Sequence, residues 1–146
     1  MTWEPNHVVV AVDGSEASNH AARVAVALAE HRNGKVTLVT VVRPPEGWWG
    51  VGGAPPSPEA MSVAIARART EILDPLAAEF EDAECTVDLV EEIGDPASVI
   101  LRIAENLGAD VLVAGRRGSS LVERLMLGSV ADRLAHEATV PVLIVP

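Results

Sequence analysis

The sequence contains little cysteine, little positive charge and no long apolar run. Its single cysteine, Cys85, cannot form an intrachain disulfide, which is typical of proteins in a reducing compartment. Lys and Arg number 11 against 21 Asp and Glu, and the formal net charge of −10 argues against nucleic acids and anionic membranes as main partners. No apolar run approaches the roughly 18 residues of a membrane-spanning helix, and the N-terminus shows no signal-peptide pattern. We therefore expect a cytoplasmic protein.

The sequence also lacks several motifs of nucleotide enzymes. Gly-x4-Gly-Lys-(Ser/Thr) is absent, which excludes a Walker-type NTPase, and so is the Gly-x-Gly-x-x-Gly fingerprint of dinucleotide-binding proteins. The four histidines show no metal-ligand spacing. No nucleophile–base pair has a spacing that indicates catalysis. A dedicated enzyme is therefore the less favoured interpretation.

Apolar runs alternate with helical patterns along the chain, whose 146 residues suit one domain. The predicted strands cover residues 8–12, 36–42, 85–93, 110–114 and 140–145, with a helical pattern between each pair. This order predicts an α/β fold with one doubly wound five-stranded parallel sheet and helices on both faces. The strand order is 3-2-1-4-5 if the first and fourth strands are neighbours. Pro141 favours an edge position for the last strand, and Pro75 should interrupt the second helix.

Distinctive residues follow the first and fourth predicted strands. Val12–Ser15 ends the first strand, Gly115–Gly118 ends the fourth, and Gly128–Val130 opens the last helix. Glycines let the backbone approach a ligand, and a helix start offers N–H groups, a hydroxyl and a positive dipole end. Because ligands of doubly wound sheets bind beyond the carboxyl ends of the strands, both loops should face one crevice. The pattern predicts an anion site, most simply for phosphate.

Other segments carry weaker predictions. Asp95 is interpreted as the cap of the third helix, and residues 121–126 as a short helical piece within the glycine segment. Residues 43–56 form a loop that contains Trp48 and Trp49. These two tryptophans could cover a ligand, meet a partner or pack over the sheet edge.

The whole chain resembles the universal stress protein family. The resemblance rests on the end of the first strand at Val12–Ser15, on Gly94–Pro96, on Ala109–Gly115, on Leu127–Ala131 and on the C-terminal Val140–Val145. One branch of that family binds ATP and carries Gly-x2-Gly-x9-Gly-(Ser/Thr). Gly115, Gly118, Gly128 and Ser129 match this spacing in full. The resemblance implies one such domain over residues 1–146, with a fold of the adenine nucleotide alpha hydrolase-like type.

The resemblance also implies roles for single residues. Val12 and Val41 would line the adenine pocket, and Asp13 would contact the ribose or a phosphate-bound Mg²⁺. Gly115 would lie on the ribose side, and the phosphates would be held by Gly118, Gly128, Ser129 and Val130. Gly14 and Ser15 complete the first loop of the predicted site. Arg117 could add charge-assisted contacts, although the sequence does not separate its role from that of Arg116.

The favoured hypothesis is an ATP-binding regulatory protein with Mg²⁺ as cofactor and at most slow hydrolysis. A homodimer is expected through the apolar edge strand Val140–Val145, because an edge strand leaves backbone that a second copy can cover. Two alternatives stay open. The first is a dimeric interaction module that needs no nucleotide, and the second is a true ATPase or phosphotransferase.

Overall fold

A computed structural model describes residues 2–44, 56–118 and 127–146. Predictions for Trp48, Trp49 and the helical piece at 121–126 lie outside these described residues. The elements in chain order are β1 (His7–Ala11), α1 (Glu16–Glu30), β2 (Lys35–Val42), α2 (Pro58–Ala68), a π-helical turn (Arg69–Leu73), α3 (Asp74–Ala78), β3 (Thr86–Ile93), α4 (Pro96–Asn106), β4 (Val111–Gly115), α5 (Ser129–Glu137) and β5 (Val142–Val145). In this part of the chain, no helix has the length and apolar character needed to span a membrane.

The five strands form one parallel sheet of order β3-β2-β1-β4-β5. The central strand β1 pairs with β2 along its whole length and with β4 at Val8–Val10. The predicted α/β fold and its strand order are therefore confirmed. The strands end within two residues of the predicted bounds, and β5 is an edge strand that begins just after Pro141.

Successive side chains of β1 enter two different cores. On one face, Val8 and Val10 pack with α1 and with Leu73 of the π-helical turn. On the other face, Val9 packs among side chains of α4 and α5, including Leu134. This alternation follows from the two-residue period of a strand. Because both faces are covered, β1 is apolar throughout its interior, as a central parallel strand should be.

The second helical segment is interrupted, as Pro75 predicts. The turn at Arg69–Leu73 is π-helical, and the Asp74 N–H donates to the Arg69 carbonyl before a short α3 begins. Proline has no N–H and its ring crowds the preceding turn, so the helix widens where Pro75 follows. Leu73, at the end of this turn, is fully buried in the core.

One apolar prediction is wrong. The apolar spacing of the third helix predicts a buried stripe that ends at Leu107, but α4 ends at Asn106 and 40% of Leu107 is exposed. Gly108 follows with a φ of +64°, a left-handed conformation that turns the chain away from the helix axis. Leu107 therefore lies just past the end of the helix and is far less covered than Ile100 and Ile103, which are 3% and 6% exposed.

Candidate functional site

A cavity of about 860 Å³ lies beyond the carboxyl ends of β1, β2 and β4. One wall is α2 with the π-helical turn, and the opposite wall is formed by the first turns of α4 and α5. The lining residues are Ala11, Val12, Asp13, Ser18, Val39, Thr40, Val41, Val42, Arg43, Ala60, Val63, Ala64, Arg67, Ala68, Glu71, Ile72, Pro96, Ile100, Ala114, Gly115, Arg117, Gly118, Gly128, Ser129, Val130 and Ala131. Every predicted nucleotide-binding residue is among them except Gly14 and Ser15.

The floor of the cavity is apolar and continues the sheet. Val12 is 3% exposed, and its N–H donates to the Val39 carbonyl at 2.8 Å, which keeps β1 and β2 together just past the end of β1. Val41 lies near the end of β2 and is partly buried. The strand ends thus offer a flat apolar surface of the kind that binds an aromatic ring.

Asp13 stands where this floor ends. Its Oδ1 accepts the Ser15 N–H at 2.9 Å, and its own N–H donates to Ser18 Oγ at 3.2 Å. The first loop therefore holds the carboxylate, and the first turn of α1 holds the Asp13 backbone. It remains exposed at the cavity, where it could meet a hydroxyl group or a cation.

Gly14 and Ser15 shape the loop and do not line the cavity. Gly14 has a φ of +86°, a turn conformation that side chains disfavour. Ser15 caps α1, because its Oγ accepts the Ser18 N–H at 3.2 Å. Both residues therefore act in the loop and the helix cap, outside the cavity lining.

The three glycines of the spaced motif lie at close approaches of the chain. A Cβ on Gly115 would lie 2.8 Å from the Ala17 carbonyl carbon, so the end of β4 packs directly on the backbone of α1. A Cβ on Gly118 would lie 2.6 Å from Asp13 Oδ2, and one on Gly128 would lie 3.3 Å from Arg117 Cα. Gly115 is therefore explained by packing, whereas Gly118 brings the fourth-strand loop onto the predicted ligand carboxylate.

The start of α5 supplies the donors of the site. Gly128 is the N-cap, and no side chain caps this helix among the described residues. The Gly128 N–H already donates to the Arg116 carbonyl at 2.7 Å, so it is not a free donor as the resemblance implied. The N–H groups of Ser129 and Val130 open the helix toward the cavity, together with the exposed Ser129 side chain. Uncapped first-turn N–H groups are an anion-binding arrangement.

The two neighbouring arginines differ in their surroundings. Arg117 lines the cavity, whereas Arg116 does not. The Arg116 N–H donates to the Val145 carbonyl at 2.7 Å, which fastens the loop to β5. Its Nε is buried and has no hydrogen-bond partner within the described ranges. The structure thus separates two roles that the sequence left together.

The α2 wall was missed in the sequence. Its lining residues follow a helical spacing of three and four, and they include Val63, Arg67 and Glu71. Val63 is 67% exposed, and Arg67 Nε pairs with Glu71 Oε1 at 3.0 Å. The signal was a second helical stripe, offset from the buried one, that resembles an ordinary solvated face.

Asp95 does cap a helix, as predicted, and it also joins two helices. Its carboxylate accepts the Ser98 N–H at 3.1 Å and the Ser98 hydroxyl at 2.6 Å at the start of α4. It also accepts from Arg133 of α5 at 2.5 Å. The hydrogen bonds from Ser98 and the neighbouring guanidinium hold the pKa of Asp95 at about 2, so this carboxylate is ionised at neutral pH.

Sequence and structure comparisons agree with this architecture. The chain matches the sequence profile of the Universal stress protein family over residues 5–146, and it belongs to that family. Universal stress protein MJ0531 of Methanocaldococcus jannaschii is 31% identical over 94% of this chain and 80% of its own length.

Two solved structures share the fold. Hypothetical protein MJ0577 superposes with a TM-score of 0.77 at 21% identity, covering 99% of this chain and 96% of its own. A universal stress protein crystallised in complex with cAMP has a TM-score of 0.63 and 25% identity, covering 97% of both chains.

Proposed function

We propose that this universal stress protein binds an adenine nucleotide in the cavity beyond β1, β2 and β4. The ligand that we favour is ATP with Mg²⁺. The observation that carries the proposal is the convergence of Asp13, Gly118 and the uncapped start of α5 at one end of an apolar floor. An apolar floor suits a base, and helix N–H groups suit phosphates. The cAMP complex of a relative supports an adenine ligand.

The proposed binding mode assigns each part of the cavity to one part of the ligand. The base lies on Val12 and Val41, and the ribose lies near Asp13 and Gly115. The phosphates face Gly118, Ser129 and Val130, where N–H groups and a hydroxyl can donate. The Gly128 N–H already donates to the Arg116 carbonyl, so Gly128 would serve the site only by leaving space where a side chain would otherwise stand.

The charges of the lining favour a polyanion. Arg43, Arg67 and Arg117 line the cavity with Asp13 and Glu71, although the chain as a whole carries a formal net charge of −10. The Arg67–Glu71 pair is largely exposed and places Arg before Glu along the helix, the weaker orientation of such a pair. Arg67 can therefore exchange its partner for a ligand phosphate at little cost.

The residues present fit a nucleotide-bound Mg²⁺. Magnesium is held in nucleotide sites by one or two carboxylates together with phosphate oxygens, and Asp13 supplies one carboxylate beside the proposed phosphate position. The bound ion would neutralise phosphate charge. We propose that hydrolysis is slow, because the groups that converge here bind and orient a nucleotide, and no Lys is present in the glycine segment to stabilise a leaving phosphate. Nucleotide occupancy would then serve regulation in a cytoplasmic protein.

Two measurements test this function. Freshly purified protein is denatured and the released small molecules are identified by mass spectrometry, and the emptied protein is titrated with Mg-ATP and AMP by calorimetry. Gly128→Ala places a methyl group against Arg117 and should weaken ATP binding about tenfold or more. Gly108→Ala is the matched control, because it strains a left-handed turn away from the cavity. Its ATP affinity should equal that of the wild type.

Protein that is empty and has no measurable affinity for either nucleotide would overturn the proposal. The interaction-module hypothesis would then take its place. An unchanged ATP affinity in Gly128→Ala would instead show that the ligand binds elsewhere.

We also propose a homodimer through the C-terminal edge residues Val140–Val145. β5 lies at the sheet edge, and Leu143 at its centre is 37% exposed. An apolar edge strand with unpaired backbone is suited to cover by a second copy.

A further inference from the structure

The helices α4 and α5 begin side by side and form one wall of the cavity. The cavity is lined by Pro96 and Ile100 of α4 and by Ser129–Ala131 of α5. Arg133 lies one turn further along α5 and reaches across to Asp95, the N-cap of α4. We propose that Asp95 and Arg133 are a positioning pair, which holds the first turn of α5 where its N–H groups meet the phosphates of a bound nucleotide. This inference rests on the proposed function.

The Arg133 guanidinium uses all of its nitrogens in this arrangement. One terminal nitrogen donates to Asp95 Oδ2 at 2.5 Å, and the other donates to Ser98 Oγ at 3.1 Å. Its Nε donates to Glu137 Oε2 at 3.0 Å, one turn further along α5. Contacts to both helices from one planar group fix the position and the rotation of α5 relative to α4.

Asp95 is equally committed. The same Oδ2 accepts from the Ser98 backbone, the Ser98 hydroxyl and Arg133. One carboxylate oxygen therefore both caps α4 and holds α5, and we call the Asp95–Arg133 pair the clamp. These hydrogen bonds lower the pKa of Asp95, and the pair therefore stays charged at any pH used for nucleotide binding.

The pair lies next to the first turn of α5, where a small movement of the helix would change phosphate binding. The α5 wall contributes N–H groups and not long side chains, so the phosphate position is set by where the helix itself begins. A displacement of about 1 Å at a binding or catalytic constellation can cost on the order of a hundredfold in function. Loss of the clamp should therefore reduce phosphate binding more than it reduces stability, because exposed ion pairs contribute little to folding.

The test compares Arg133→Gln and Asp95→Asn with the control Arg23→Gln. Asparagine is a good N-cap, so Asp95→Asn keeps the start of α4. Arg23 makes a similarly exposed two-point pair with Glu79 away from the cavity. ATP, AMP and adenosine are titrated into each protein by calorimetry, and unfolding temperatures are measured beside them.

Both clamp variants should bind ATP and AMP about five- to tenfold more weakly, while adenosine binding changes less than about twofold. The double variant should be no weaker than the worse single one, and Arg133→Lys should restore part of the affinity. In isotope-labelled protein without ligand, the amide resonances of Val130 and Ala131 should shift in both clamp variants and stay in place in Arg23→Gln.

Three results would overturn the inference. The first is a wild type that binds ATP together with clamp variants whose ATP and AMP affinities are unchanged. The second is an equal loss for ATP, AMP and adenosine, which would indicate a general structural effect. The third is a wild type that binds no nucleotide, which would remove the proposed function and this inference with it.

Discussion

A Cβ atom on Gly118 would lie 2.6 Å from Oδ2 of Asp13. The loop after β4 and the loop after β1 therefore meet here, and a side chain at position 118 would have to displace the Asp13 carboxylate. Since β1 and β4 are neighbours in the sheet, this contact puts the carboxylate and the glycine segment at one end of the same cavity.

Asp13→Asn should weaken Mg-ATP binding about tenfold and reduce the dependence of ATP affinity on Mg²⁺, because a neutral amide is a poor magnesium ligand. The amide oxygen can still accept the Ser15 N–H, so the loop and the unfolding temperature should change little. Calorimetry at several Mg²⁺ concentrations measures the effect. An unchanged magnesium dependence would remove Asp13 from the proposed metal site.

Arg117→Gln should weaken ATP binding about three- to tenfold, because a charge-assisted contact to phosphate is lost. Arg116→Gln should leave ATP affinity unchanged, since Arg116 does not line the cavity. The two variants are neighbours of identical chemistry and serve as controls for each other in one titration series. An equal loss of affinity in both would contradict the separation of roles.

Acidification should destabilise the protein through His7. Burial lowers the pKa of His7 below 6.5, with Lys35 adding to the effect, and its Nε2 lies 2.8 Å from Thr37 Oγ1. The unfolded chain therefore binds a proton first, so the free energy of unfolding falls as the pH drops below about 6.5 and levels off below the lowered pKa.

Urea titrations at several pH values between about 7.5 and 5 test this effect. His7→Gln should flatten the decline in stability with falling pH. His136→Gln should not, because the pKa of the exposed His136 is raised by its hydrogen bond to the Asp132 carbonyl and its titration has the opposite sign. A His7→Gln profile as steep as that of the wild type would refute the assignment.

Leu143→Lys should convert a dimer to a monomer at micromolar concentration, because a lysine on an edge strand opposes pairing with a second copy. Leu107→Lys is the control, since Leu107 is similarly exposed, at 40%, but follows α4 and is not on β5. Sedimentation velocity measures both. A monomeric wild type at the same concentration would contradict dimerisation through β5.

The sequence was sufficient to predict the fold, but it could not predict contacts that depend on how distant segments are oriented in space. The five strands follow from apolar runs with turn residues between them, and the edge position of β5 follows from Pro141. The spacing of the glycine motif predicts that Gly118 and Gly128 belong to one site, and both line the cavity. The hydrogen bond that occupies the Gly128 N–H depends on where the Arg116 carbonyl points, which no local pattern encodes.

The α2 wall and the clamp were missed for related reasons. Val63 and Arg67 follow the spacing of an ordinary solvated stripe, and only the crossing of α2 over the strand ends turns that stripe toward a cavity. Asp95 and Arg133 are far apart in the chain, and the contact between them requires α4 and α5 to lie on the same face of the sheet. Non-local contacts of this kind are set by topology and not by local propensity.

If the cavity holds an adenine nucleotide, its phosphates lie at the start of α5. Titration of isotope-labelled protein with Mg-ATP, followed through the amide resonances, tests it most directly. We expect saturable shifts centred on Asp13, Gly118, Ser129 and Val130, with little change at Leu107 and Gly108. No saturable shift, or shifts confined to residues outside the cavity, would contradict it.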